Sequence, residues 1–144
     1  MKKEQFTAKD VDSMHLCGQE IAQRISPPAV IYLQGQLGAG KTTLVQGTMH
    51  YFGYAGIVSS PSYNLIHQYS AHGFDVAHLD LYRLDDPEEL MMLGLADLLT
   101  PQSILWVEWP EKGHGFLPEA DIIIDIQYQH APNTGRVIQL NIVQ

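Results

Sequence analysis

The chain has 144 residues, 45% hydrophobic and 17% charged, a balance that suits one folded domain and excludes a disordered chain. A formal net charge of −8, with only eight Lys and Arg, leaves no basic patch for gripping RNA or DNA and favours a basic protein partner. Cys17 is the only cysteine, which excludes an intrachain disulfide or cysteine-cluster metal site. No apolar run reaches bilayer-spanning length, and "MKKEQFTAKD" lacks the apolar core of a secretory signal, so a cytoplasmic chain without a membrane segment is expected.

Val11, Met14, Cys17, Ile21, Ala22 and Ile25 recur at three- and four-residue spacing. They predict an amphipathic helix, capped near Thr7 and stopped by Pro27 and Pro28. "AVIYL", Ala29 to Leu33, reads as a buried strand, and "KTTLVQGTMHYF" after it as a helix ending at Gly53. "SSPSYN", Ser59 to Asn64, is a loop by composition. "LIHQYS" and "DVAHLDLY" predict two strands joined by a turn at His72 and Gly73. Asp86, Pro87 and Glu89 are a cap, a first-turn proline and a capping-box partner. They open a helix through "ELMMLGLADLL" that ends before Pro101. "SILWVEW", Ser103 to Trp109, is a second strongly apolar strand. "DIIIDIQY" and "RVIQLNIV" close the chain as a hairpin. Helices and strands intermix throughout, with no linker and no internal repeat. The expected architecture is one α/β domain over residues 1–144, with a mixed, mainly parallel central sheet flanked by helices.

Between the first buried strand and its helix lies "GQLGAGKTTL". Gly35, Gly40, Lys41 and Thr42 match G-x-x-x-x-G-K-S/T in full. Such a loop wraps a phosphate with inward-pointing backbone N–H groups, and its glycines allow the required dihedrals and close approach. The lysine brings a point charge to the β- and γ-phosphates, the threonine hydroxyl completes a Mg²⁺ shell, and the helix N-terminus faces the same anion. The candidate nucleotide cradle is thus Gly35, Leu37, Gly38, Ala39, Gly40, Lys41, Thr42 and Thr43.

A nucleotide hydrolase also needs a carboxylate at the end of a second buried strand. Glu108 is so placed, after four apolar residues and just before the break at Pro110. Asp80 in "HLDLY" is the other candidate, with a solvent-facing residue of an alternating strand as the alternative. Ser60, Ser62 and Tyr63 are either turn formers or a switch segment whose hydroxyl reaches Mg²⁺ or the γ-phosphate. Trp109 reads as core or as a base-stacking surface. His67, His72 and His78 lack metal-ligand spacing and read as structural or surface residues.

Taken together, Gly35–Thr43, "SPSY" at Ser60–Tyr63, "HLDLYRL" at His78–Leu84, "DPEEL" at Asp86–Leu90 and "VEWPE" at Val107–Glu111 resemble the TsaE (YjeE) family. These are small bacterial P-loop ATPases of tRNA threonylcarbamoyladenosine biosynthesis. The resemblance runs from about the first helix to Asp121. It implies an ATPase using ATP and Mg²⁺ that resets the TsaB–TsaD complex and meets tRNA only indirectly through it. It also implies Thr42 and Glu108 as Mg²⁺ ligands, Asp80 as a carboxylate placing metal or water, and Lys41 as the phosphate lysine. Trp109 would line the site and "SPSY" would act as a switch. Ser62 stands where the family has threonine, keeping the hydroxyl without the methyl. Thr7 and Arg136 lie outside the motifs and are candidates to line the nucleotide pocket. The rival readings are a small-molecule P-loop kinase, a GTPase switch (though N-K-x-D is absent) and a binding module with a dead site.

Overall fold

The computed structural model describes residues 2–61, 64–129 and 135–143. Among these residues seven strands form one sheet: β1 (Lys2–Ala8), β2 (Ala29–Gly35), β3 (Ile66–Ala71), β4 (Phe74–Asp80), β5 (Ser103–Glu108), β6 (Ile122–Tyr128) and β7 (Arg136–Ile142). Their spatial order is β1-β7-β6-β2-β5-β4-β3. The four central strands, β6, β2, β5 and β4, run parallel. Antiparallel partners are added at both sides, β7 and β1 beyond β6 and β3 beyond β4. The mixed α/β sheet expected from the sequence is therefore present, with its parallel pairings concentrated at the centre, where strands must be covered on both faces.

Alternation along the central strands sorts their side chains onto two faces. Ile31 and Leu33 of β2, Val76 of β4 and Ile104 and Trp106 of β5 join a large cluster. Helices α1 (Val11–Ala22) and α2 (Lys41–Tyr51) complete it with Met14, Ile21, Leu44 and Met49. The two helices cross at Gly18 and Gly47. A Cβ on Gly47 would lie 2.2 Å from the His15 carbonyl oxygen, and one on Gly18 would lie 2.3 Å from that of Leu44. Only glycine permits this spacing, which fixes the position of α2 and hence of its first turn.

The opposite face holds Val30, Ala77, Leu79, Leu105 and Val107 in a smaller cluster. Its cover is a 3₁₀ helix (Pro87–Leu93) and a single turn, α3 (Leu95–Leu98). The sequence predicted one continuous helix here. Asp86 does form the expected capping box with Glu89, but Gly94 adopts a left-handed conformation (φ 67°) and divides the segment. Leu90 is the buried anchor of the 3₁₀ helix, while Met91 and Met92 next to it are 70% and 89% exposed.

At the N-terminus the structure adds one element that the sequence did not predict and changes one expectation. The segment Lys2–Ala8 forms strand β1, which pairs in full register with β7. Helix α1 is capped by Asp10 rather than Thr7. The Ser13 N–H donates to Asp10 Oδ1 (2.8 Å), and the Asp10 N–H donates to Ser13 Oγ (3.0 Å). Thr7 belongs to the strand instead.

Candidate functional site: a phosphate loop facing two strand-end carboxylates

The loop Gln36–Gly40 joins the carboxyl end of β2 to the first turn of α2. Gly40 is the N-cap in a left-handed conformation (φ 107°), and among the described residues no side chain caps the helix. The first-turn amides of α2 therefore lack intrahelical partners and keep their N–H groups for an anion. Arg136 holds the loop from outside. Its Nε donates to the Ala39 carbonyl (3.2 Å), its Nη2 lies 3.5 Å from the Gly38 carbonyl, and its guanidinium lies 3.9 Å from the Tyr128 ring centre.

Lys41 folds back across the loop. Its Nζ donates to the Gly35 carbonyl at 2.5 Å, lies 3.9 Å from Glu108 Oε1, and sits 4.5 Å from the centre of the Trp109 ring. Burial pulls the Lys41 ammonium below the ordinary lysine value, while Glu108, Asp80 and Glu111 push it back up. A desolvated cation held by a carbonyl and a distant carboxylate is poised to favour a closer anion, as a phosphate would be.

The carboxylates come from neighbouring strands. Asp80 and Glu108 are register partners at the carboxyl ends of β4 and β5. Alternation aims both at the face that carries α2. Asp80 is 5% exposed and Glu108 2%, so neither faces solvent, which decides the alternative left open for Asp80. Asp80 accepts from Ser60 Oγ (3.1 Å) and from the Tyr82 N–H (3.0 Å). Glu108 Oε2 lies 2.6 Å from His78 Nε2. The sequence reading set His78 among structural or surface histidines. It is fully buried, beside Glu108. The usable signal was its place two residues before Asp80 on an alternating strand, which puts both on one face.

Trp109 leaves β5 in a left-handed conformation (φ 58°), uncommon for a bulky residue and a form of strain that recurs at functional sites. The turn swings its ring over Lys41 and to 5.0 Å from the Tyr82 ring.

Leu37, Gly38, Gly40, Lys41, Thr42, Thr43, Ser60, Asp80, Glu108 and Trp109 line one cavity of about 370 Å³. A larger one, about 570 Å³, lies along β6 with Gln34, Glu111, Asp125 and Tyr128, and holds none of Lys41, Thr42, Asp80 or Glu108. The chemistry thus converges on the smaller. Arg136 and Ala39 line a third, of about 250 Å³, between the loop and the start of α1. Thr7 lines none of the three, although its neighbour Ala8 lines the last. Ser62 and Tyr63 lie outside the described residues.

A buried strand, a glycine loop with an inward lysine, a helix N-terminus and strand-end carboxylates on a parallel sheet define a P-loop NTPase fold. Comparison with known proteins narrows the class. Residues 8–138 match the family described as threonylcarbamoyl adenosine biosynthesis protein TsaE, and the chain belongs to that family. The tRNA threonylcarbamoyladenosine biosynthesis protein TsaE of Haemophilus influenzae is 47% identical over 114 residues, covering 78% of this chain and 72% of that one. Its counterpart in Synechocystis is 38% identical, covering 75% and 71%. The crystal structure of Bacillus subtilis YdiB superposes with a TM-score of 0.82 at 26% identity, covering 99% of this chain and 87% of that one. No helix among the described residues is long and apolar enough to cross a membrane.

Proposed function

We propose that this chain is a Mg²⁺-dependent ATPase of the cytoplasmic tRNA threonylcarbamoyladenosine machinery that acts on the TsaB–TsaD complex. One observation carries the reading: Lys41, Thr42, Asp80 and Glu108 face one cavity at the carboxyl ends of β4 and β5 and the N-terminus of α2. The first-turn amides and Lys41 would hold the β- and γ-phosphates. The cavity beside Arg136 gives room for the rest of the nucleotide.

The donor set fits Mg²⁺. The Thr42 hydroxyl and the Glu108 carboxylate are hard oxygen donors, with Asp80 at the same cavity. Among the described residues no cluster of three or more His, Cys, Asp or Glu could cage a metal alone. Mg²⁺ suits such a sparse site, because it keeps several waters and takes substrate phosphate oxygens. When bound, it neutralises charge on the transferring phosphoryl group. The chain's own residues do the rest. Lys41 leaves the Gly35 carbonyl for the phosphates, the loop amides stabilise equatorial oxygens, and Asp80 orients water for in-line attack. Catalysis here is positioning and charge stabilisation. The Ser60 hydroxyl on Asp80 ties the "SPSY" segment to the same carboxylate, which supports its reading as a switch. An acidic chain acting through protein partners agrees with the net charge of −8.

A steady-state ATPase assay with and without purified TsaB–TsaD tests this. Slow turnover alone, at least tenfold stimulation by the complex, and loss of both in Lys41→Ala are expected. Fast partner-independent turnover, or a phosphorylated metabolite in a substrate screen, would replace the reading with an autonomous hydrolase or a small-molecule kinase.

A further inference from the structure

His78 is an odd occupant for its position. It stands mid-sheet on β4, in register with Trp106 of β5, where Val76 two residues earlier is an ordinary core side chain. It is fully buried. Its Nε2 meets Glu108 Oε2 at 2.6 Å, while its Nδ1 is buried with no hydrogen-bond partner among the described residues. An ionised carboxylate only accepts, so in this bond Nε2 is the donor to Glu108. A buried polar atom without a partner costs stability that an apolar side chain would not. The fold thus carries a histidine whose one satisfied bond goes to the carboxylate of the candidate site.

That bond divides the labour of the two Glu108 oxygens. Oε2 is taken by His78 in a short charge-assisted hydrogen bond. Among the described residues, the cation facing Oε1 is Lys41, whose Nζ lies at 3.9 Å, beyond hydrogen-bond distance. Oε1 is the oxygen left for a metal ion or its water. Without His78 the carboxylate could rotate and turn either oxygen, or both, toward Lys41.

We propose that His78 is a positioning residue: by holding Glu108 Oε2 it fixes Oε1 as the single oxygen presented to the divalent cation beside the phosphate loop. The inference rests on the Mg²⁺-nucleotide reading above. It assigns His78 no contact with nucleotide or metal, and its action runs entirely through Glu108.

Three proteins are compared: wild type, His78→Leu, which removes the donor, and His78→Gln, whose amide N–H can reach Glu108. Mn²⁺ binding to the protein–ADP complex is followed by electron paramagnetic resonance, and Mg²⁺ dependence by ATP hydrolysis. In His78→Leu the Mn²⁺ dissociation constant and the half-saturating Mg²⁺ concentration should each rise about tenfold or more, since outer-shell partners of metal ligands typically matter by about 10–100-fold. ADP affinity measured in EDTA should stay within about twofold of wild type, because phosphate binding to the loop does not run through His78. His78→Gln should recover most of the loss, which a purely packing role would not allow. The ¹⁵N-histidine spectrum of the wild-type protein should show the Nε2–H tautomer for His78, a measurement that survives even if a variant fails to fold. An Nδ1–H tautomer, or equal Mn²⁺ affinity in folded His78→Leu and wild type, overturns the proposal alone. If wild type binds no Mn²⁺–ADP and Lys41→Ala behaves like it, the Mg²⁺-nucleotide reading falls and this proposal falls with it.

Discussion

The two faces of the sheet are built to different standards. On one, α1 and α2 pack closely through Gly18 and Gly47 over a broad apolar cluster. On the other, a 3₁₀ helix and a single helical turn cover a smaller cluster and leave Met91 and Met92 in solvent. Lys41, Thr42, Asp80 and Glu108 all belong to the first face or its rim. The contrast assigns geometric precision to the thick face. The thin face contributes cover, and through the turn after Asp80 it touches the site only at its margin.

Substitutions can break or sharpen that contrast. The largest effect is expected from Gly47→Val, because the new side chain meets the His15 backbone and cannot be relieved by a rotamer change. A stability loss of about 3 kcal/mol in urea denaturation is expected. Nucleotide binding should fall with it, because α2 carries Lys41 and Thr42. Stability loss with full nucleotide affinity would show that the helix crossing does not place the site.

Leu90→Ala attacks the thin face. It removes the buried anchor of the 3₁₀ helix, but a shallow, half-open layer can collapse onto the gap, so a loss of about 2 kcal/mol is expected, near the low end for such truncations. Nucleotide affinity, measured by calorimetry, should be retained. A parallel loss of binding would mean that the two faces are coupled.

Asp86→Ala removes the side chain that accepts from the Glu88 N–H at 3.0 Å and should cost about 1 kcal/mol, read from the shift in urea midpoint. It tests whether the thin cover is held by its cap as well as by Leu90.

The smallest effect is expected at the sheet edge. Arg24 of the turn after α1 grips Glu4 of β1 with two bonds, Nε to Oε2 (2.9 Å) and Nη2 to Oε1 (2.8 Å). The Arg24 hydrogen bonds hold the Glu4 carboxyl below its usual value. The sign follows: the stabilisation is present above the unfolded carboxylate pKa, about 4.3, and is lost as pH falls through the lower folded value. Glu4→Gln should therefore be slightly less stable than wild type at pH 7 and equal to it in strong acid, as read from paired thermal melts.

Features encoded by neighbours in the chain were legible in the sequence. The phosphate loop, the strand before it and the helix after it all stand where the pattern put them. The Asp86–Glu89 capping box is local chemistry and formed as read. Strand β1 was not legible, because "KKEQFTA" turns only Ala8 fully inward and owes its conformation to β7, more than 100 residues away. The continuous helix predicted over "ELMMLGLADLL" failed at Gly94, where a helical periodicity spans a residue free to turn left-handed. His78 was read as structural or surface, and its burial fits the structural reading, but its bond to Glu108 was not legible. Its partner is a carboxylate on the next strand, 30 residues on.

The sequence by itself determined that a phosphate loop sits between a buried strand and a helix, because dihedral freedom, charge and helix polarity are all carried within ten consecutive residues. It also placed a glutamate at the end of a second buried strand. Only the tertiary structure decided which side chains share that site. Parallel pairing of β4 with β5 set Asp80 beside Glu108 and turned both away from solvent, and the Gly18–Gly47 crossing brought Lys41 over them. Strand register and helix approach are long-range quantities, fixed by packing between segments that no local pattern connects.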